Sequence, residues 1–117
     1  MNMPTILFVD NEEESCFSFH AVFRREYKIH TTTEPLEVSA LIERLKVDVI
    51  LSNSLMPYIN GFRLLDFVMR HYPHVKRILI TASILRDDDQ FIIKNNIAQA
   101  IIQKPWDYSE INKLLKS

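Results

Sequence analysis

Five short apolar runs alternate with longer segments of helical spacing, and this alternation constrains the fold more than any other feature of the sequence. The runs cover residues 5–9, 27–32, 48–52, 75–81 and 100–103. The helical segments extend from an acidic turn to about residue 25, over 35–45, from 60 to about 72, over 88–95 and after 107. Parallel strands need crossover connections, which helices supply. We therefore predict an α/β fold, a doubly wound five-stranded parallel sheet with five helices.

Local signals mark where several helices begin and which face of the first is buried. Gly61 lies at the start of the third helix, and Asp107 is well placed to cap the last one. In the first helix, five apolar residues recur at the spacing of a buried face: Cys16, Phe17, Phe19, Val22 and Phe23. We expect Cys16 to be a packing residue rather than a nucleophile.

Composition narrows the class of protein. A length of 117 residues fits a single domain, residues 1–117, and 47% hydrophobic with 25% charged residues is typical of a globular protein. The net charge of -1 offers no basic excess for nucleic acid. A lone cysteine excludes an internal disulfide and favours a reducing compartment. No apolar run approaches the roughly 20 residues that span a bilayer. We predict a cytoplasmic domain that binds neither nucleic acid nor membrane.

Polar residues follow the predicted strands at one edge of the sheet, where open α/β folds place their functional crevice. They are Asp10, Asn11, Asn53, Thr81 and Lys104. A carboxylate-rich turn could hold a hard divalent cation, while a hydroxyl and an ammonium group could bind phosphoryl oxygens. Residues 10–14 could equally form a solvated acidic turn, because anions are favoured at helix N-termini. Both interpretations stay open.

With these residues in place, the chain resembles the receiver domains of two-component response regulators, the CheY-like family. The resemblance lies in residues 6–13 (ILFVDNEE), 49–53 (VILSN), 56–61 (MPYING), 78–82 (ILITA) and 104–107 (KPWD). It covers nearly the whole chain in the expected order. It implies a flavodoxin-like sheet of strand order 2-1-3-4-5, a switch hydroxyl at Thr81, a pocket lysine at Lys104 and a cis peptide before Pro105.

The sequence departs from the family pattern at three positions. Asn53 stands where the family has its phospho-acceptor aspartate, and a neutral amide cannot be the nucleophile that forms an acyl phosphate. Asn11 replaces the second aspartate of the acidic turn, which leaves a residual acidic pocket of Asp10 with Glu12 as a helper. We expect Mg²⁺ to be absent or bound weakly through Asp10. Ile101 occupies the position of the switch aromatic.

These departures predict a pseudo-receiver, without enzymatic activity or cofactor, that acts as a phosphorylation-independent protein-interaction or regulatory module. The resemblance implies a histidine kinase, a phosphotransfer protein or a fused output domain as partner, docked on the face of the last two helices and the fifth strand. It also allows a homodimer.

Two alternatives and one structural hypothesis accompany this prediction. A phosphotransfer-competent receiver would use another carboxylate, such as Asp10 or a deamidated Asn53. A flavodoxin-like cofactor binder is disfavoured, because its phosphate would meet the acidic turn. Lys104 has lost the acceptor carboxylate that would share its charge, so we expect it to pair with Asp10.

Overall fold

The structure is a computed structural model that describes residues 3–82 and 87–117, excluding the side chains of 87 and 88. Within these residues, strands and α-helices alternate: β1 (Thr5–Val9), α1 (Glu13–Phe23), β2 (Lys28–Thr32), α2 (Val38–Leu45), β3 (Val49–Asn53), α3 (Gly61–His71), β4 (Lys76–Thr81), α4 (Asp87–Lys94), β5 (Ala100–Gln103) and α5 (Tyr108–Lys116). A 3-10 turn over Pro35–Glu37 precedes α2. Each strand end lies within one residue of its predicted position.

The strands form one parallel sheet in the order β2-β1-β3-β4-β5. This is the fold class and strand order predicted from the sequence. The polar strand β2 lies at an edge, and the fully buried β3 lies at the centre. In the part of the chain that the structure describes, none of the helices is long and apolar enough to cross a membrane.

Alternate strand residues face opposite sides of the sheet, which produces two hydrophobic cores. Phe8 lies in one core, beneath α1 and α5, and Leu7 lies in the other, beneath α2, α3 and α4. In the first core, Phe19 stacks on Phe8 with ring centroids 4.2 Å apart, and Trp106 meets Phe19 edge-on at 5.8 Å. Trp106 follows β5, so this aromatic packing ties the β5–α5 connection to α1.

The buried face of α1 is narrower than the sequence predicted. Cys16, Phe19 and Phe23 are buried, but Phe17 is 76% exposed and Val22 is 44% exposed. The prediction was wrong for these two residues because each lies about 100° or more around the helix from the centre of the buried stripe. Asp107 does cap α5, accepting a hydrogen bond from the Ser109 backbone N–H at 3.4 Å.

A fully buried arginine, Arg77, holds two loops together at the amino-terminal end of β4. Nε of Arg77 donates to the Ile97 carbonyl at 2.9 Å, and Nη2 donates to the Asn96 carbonyl at 2.9 Å. Nη1 donates to the carbonyls of Val75 at 2.6 Å and Pro73 at 3.2 Å. Burial lowers the pKa of this guanidinium. Arg77 thus joins the α3–β4 loop to the α4–β5 loop through backbone oxygens alone.

Candidate functional site

Parallel pairing brings the predicted site residues to one edge of the sheet. Val9 is opposite Ser52, so Asp10 follows β1 beside Asn53 at the end of β3. Thr81 ends β4 opposite Gln103 of β5, and its carbonyl accepts the Lys104 N–H at 2.7 Å. Residues far apart in sequence therefore meet at the carboxyl ends of four neighbouring strands.

Asp10 is a fully buried carboxylate with both oxygens engaged. Its Oδ1 accepts the backbone N–H of Glu12 at 3.0 Å, and its Oδ2 pairs with Nζ of Lys104 at 3.4 Å. The Lys104 side chain is 27% exposed. The structure thus contains the ion pair that the sequence led us to expect. A buried carboxylate is tolerated when it is paired and hydrogen-bonded in this way.

Asn53 is buried and uses its amide as a donor. Its Nδ2 donates to the Leu55 backbone carbonyl at 2.8 Å and to Oδ1 of Asn11 at 3.4 Å. The side chain thereby holds the first turn of the β3–α3 loop. An ionised carboxylate has no hydrogen to donate and could not make either bond.

A close approach of backbone to backbone positions this loop. Gly61 N–H donates to the Ser54 carbonyl at 2.9 Å. A Cβ atom at Gly61 would overlap the backbone oxygen of Asn53 and lie 2.8 Å from Cδ1 of Leu79. Glycine is therefore required for α3 to begin directly against the end of β3.

The remaining predicted residues surround this centre. Thr81 is buried, and Ile101 is partly buried opposite Leu79, against the core beneath α2, α3 and α4. The Lys104-Pro105 peptide is cis, as the resemblance implied.

The acidic turn leads into an open cleft beside the ion pair. Asn11 and Glu12 are exposed, and Glu13 and Glu14 lie in the first turn of α1, where the helix dipole favours them. The cleft has a volume of about 310 Å³, and its lining residues include Ser15, Ser18, Trp106 and Lys104. Among the described residues, no group of three or more His, Cys, Asp or Glu side chains is arranged to hold a metal ion.

Sequence reasoning missed two groups that shape this site. The Leu55 partner of Asn53 is a backbone oxygen, which leaves no signal in residue type. The sequence did mark Gly61, because it is the only glycine in the chain, but it could not show which part of the backbone Gly61 approaches.

A parallel sheet of order 2-1-3-4-5, with an aspartate, a threonine and a lysine at its carboxyl edge, defines a CheY-like receiver fold. The family model for the response regulator receiver domain matches residues 6–116. The chain belongs to this family and is a receiver domain of two-component signalling.

Individual relatives agree with this assignment. The chain is 32% identical over 104 residues to the hydrogenase transcriptional regulatory protein HoxA of Cupriavidus necator, covering 87% of this chain and 21% of that protein. It is similar to the signal receiver domain of an HD domain-containing protein from Pseudomonas fluorescens Pf-5, with a TM-score of 0.89, 25% identity and coverage of 98% and 93%. Chemotaxis protein CheY4 of Vibrio cholerae shares the fold, with a TM-score of 0.87, 21% identity and 97% coverage of each chain.

Proposed function

We propose that this receiver domain is a pseudo-receiver, a phosphorylation-independent protein-interaction module in which Asn53 occupies the phospho-acceptor position. The observation that carries the proposal is the hydrogen bond from Nδ2 of Asn53 to the Leu55 carbonyl at 2.8 Å. Acyl phosphate formation needs a carboxylate nucleophile, and an amide does not supply one. The same amide is committed to holding the β3–α3 loop, a task that requires a donor.

The donor set does not fit Mg²⁺. Magnesium requires near-ideal octahedral oxygen coordination and relies on carboxylates and phosphate oxygens. Here Asp10 already accepts from the Glu12 N–H and pairs with Lys104, and Oδ1 of Asn11 accepts from Asn53. We therefore propose a domain without a resident metal, cofactor or enzymatic step.

The ion pair and Ile101 are consistent with a pocket held in one state. Lys104 is close to Asp10, so its charge is balanced without an incoming phosphoryl group. Ile101 packs against the core and offers no ring that could rotate between two positions.

The partner on this proposal is another protein or a fused output domain. The chain spans 21% of the length of HoxA, a transcriptional regulatory protein, which supports a place within a longer regulator. Histidine kinases, phosphotransfer proteins and a second copy of the chain are further partners of the same kind. The docking face would be formed by α4, β5 and α5, where a cleft of about 530 Å³ lies between Ile101 on β5 and Lys113 on α5.

The alternative, phosphoryl transfer to Asp10, is disfavoured by its surroundings. A nucleophile must be accessible to the phosphodonor, whereas Asp10 is fully buried and bonded through both oxygens. Deamidation of Asn53 would restore a carboxylate, and the experiment below detects it.

Intact-mass spectrometry after incubation with Mg²⁺ and acetyl phosphate tests the proposal. We expect the native chain to gain no phosphoryl group and the Asn53→Asp variant to gain one. An Asn11→Asp variant is the matched control, because it adds a carboxylate to the pocket without supplying the acceptor. Modification of the native chain would contradict the proposal, and peptide mapping would then assign the acceptor to Asp10 or to a deamidated residue 53.

A further inference from the structure

A second cleft lies on the other side of α1. It has a volume of about 600 Å³ and is formed between α1, the end of β2 and the 3-10 turn before α2. Its lining residues are Glu13, Cys16, Phe17, His20, Glu34, Glu37 and residues 31–33. None of them lines the cleft at Lys104, so this acidic cleft is separate from the site described above.

An exposed aromatic side chain borders the acidic cleft. Phe17 lines it and remains 76% exposed. Leu36, which immediately precedes the lining residue Glu37, is 78% exposed. Single exposed apolar residues are ordinary on protein surfaces. Their position beside a cleft of this size gives a partner a concave surface with apolar area to cover.

The charge of the acidic cleft is negative. Glu13, Glu34 and Glu37 line it, and the basic residue among its lining is His20. Within residues 3–82 and 87–117, the salt bridges Arg70–Asp66 and Lys104–Asp10 involve none of these three glutamates.

Thr32 fixes the acidic rim in place. Its Oγ1 donates to Oε2 of Glu37 at 3.3 Å and accepts the backbone N–H of Glu34 at 3.0 Å. One buried threonine at the end of β2 therefore holds the carboxylate of Glu37 and the backbone of Glu34. A rim that is already ordered loses less conformational entropy when a partner binds.

We propose that the acidic cleft is a docking surface for a basic segment of a partner protein, in which an apolar side chain is flanked by lysine or arginine. The apolar side chain packs against Phe17, and the flanking cations lie against the rim glutamates. This inference goes beyond the proposed function, because it depends neither on Asn53 nor on the face of α4, β5 and α5.

The probe is a synthetic peptide with a central Leu-Phe pair flanked on both sides by lysines, titrated into ¹⁵N-labelled protein. We expect chemical-shift changes at Glu13, Phe17, His20 and residues 31–37, and affinity that weakens as salt increases. A matched peptide with glutamate in place of lysine should not bind.

Variants separate the apolar from the charged contribution. Phe17→Ser should weaken binding by about tenfold or more, since it removes the aromatic surface that the peptide covers. Glu34→Gln with Glu37→Gln should weaken binding several-fold and flatten the salt dependence. Phe91→Ser removes a 55% exposed aromatic on α4 and is the control that should bind as the native chain does.

Asn53→Asp should also leave peptide binding unchanged, so failure of this inference is distinguishable from failure of the proposed function. The inference is overturned if the native chain does not bind the peptide, if Phe17→Ser binds it equally well, or if the shifts map to α4. Self-association of the chain that Phe17→Ser abolishes would assign the acidic cleft to a second copy and would overturn it as well.

Discussion

Replacement of Lys104 by methionine tests whether the ion pair holds the site together. Asp10 is fully buried, and its Oδ2 lies 3.4 Å from Nζ of Lys104. Methionine keeps most of the aliphatic length of lysine and removes the charge. The variant therefore removes the charged partner of Oδ2 and keeps the hydrogen bond from the Glu12 N–H to Oδ1.

The magnitude follows from the distance and the burial. At an effective dielectric constant of about 20, two unit charges at this separation attract by about 5 kcal/mol before desolvation is subtracted. Breaking a fully buried pair costs about 3–5 kcal/mol, and an exposed pair contributes about 0–1 kcal/mol. Lys104 is intermediate, because its side chain is 27% exposed. We expect Lys104→Met to lower the free energy of unfolding by about 2–3 kcal/mol.

Urea unfolding monitored by tryptophan fluorescence measures this loss. Trp106 is the only tryptophan, and it packs 5.8 Å from Phe19, so its emission reports the site directly. Lys113→Met, at an exposed position on α5, is the control and should change stability by less than about 0.5 kcal/mol.

A double-mutant cycle with Asp10→Asn isolates the interaction itself. The double variant should be more stable than the sum of the single losses implies, by about 1–2 kcal/mol, because each single variant leaves one charge without its partner. Additive losses, or a Lys104→Met variant within about 0.5 kcal/mol of the native chain, would refute the reasoning.

Three further predictions concern other buried groups. Gly61→Ala should lower the free energy of unfolding by about 1–3 kcal/mol in the same assay, because the new Cβ overlaps the backbone oxygen of Asn53. Arg77→Met should lower it by at least about 3 kcal/mol and speed hydrogen exchange in the α4–β5 loop, since it deprives four carbonyls of their donor. Burial, and next the charge of Asp10, raises the pKa of the Cys16 thiol above 9.0. The thiol of the unfolded chain therefore loses its proton at a lower pH than the thiol of the folded chain. The free energy of unfolding should fall as the pH rises above the pKa of the unfolded thiol, and Cys16→Ala should reduce this decline.

Each of these three has a result that would contradict it. The first is contradicted if Gly61→Ala is as stable as the native chain. The second is contradicted if Arg77→Met loses stability while hydrogen exchange near Ile97 stays unchanged, since the loss would then lie elsewhere. The third is contradicted if the stability of Cys16→Ala follows the native pH dependence between about pH 8 and 10.

Most of the fold could be predicted from the sequence because its signals are local. Each apolar run is bounded by polar or turn residues, and parallel pairing leaves helices as the only short connections. The site could be predicted in outline for the same reason, since a parallel sheet gathers its strand ends at one edge. The pairing of Lys104 with Asp10 followed from the resemblance, which places an acceptor carboxylate where Asn53 stands, and from the cost of leaving a partly buried ammonium group unpaired.

What the sequence could not show depends on groups without a side-chain signature. In the sequence, Arg77 is one polar residue inside a predicted strand. Its role in joining two loops could not be predicted, because its partners are backbone oxygens distant in sequence, such as that of Ile97. Phe17 was misassigned because helical spacing indicates a buried stripe but not its width. The acidic cleft could not be predicted for the same reason, because the exposure of Phe17 becomes visible only once α1 is packed against the sheet.

The proposed function has a consequence for how the domain would carry a signal. A ligand shifts a conformational equilibrium only through different affinity for the two states. If Asn53 accepts no phosphoryl group, that difference must come from a bound partner, and regulation passes to the concentration or conformation of that partner.

Asn53→Asp then changes more than acceptor chemistry, because it also removes the donor that holds the Leu55 carbonyl. We therefore expect the β3–α3 loop of the unphosphorylated variant to exchange its amide hydrogens faster than the native loop. An unchanged exchange rate would mean that the amide of Asn53 is dispensable for the loop and that only its lack of nucleophilicity matters.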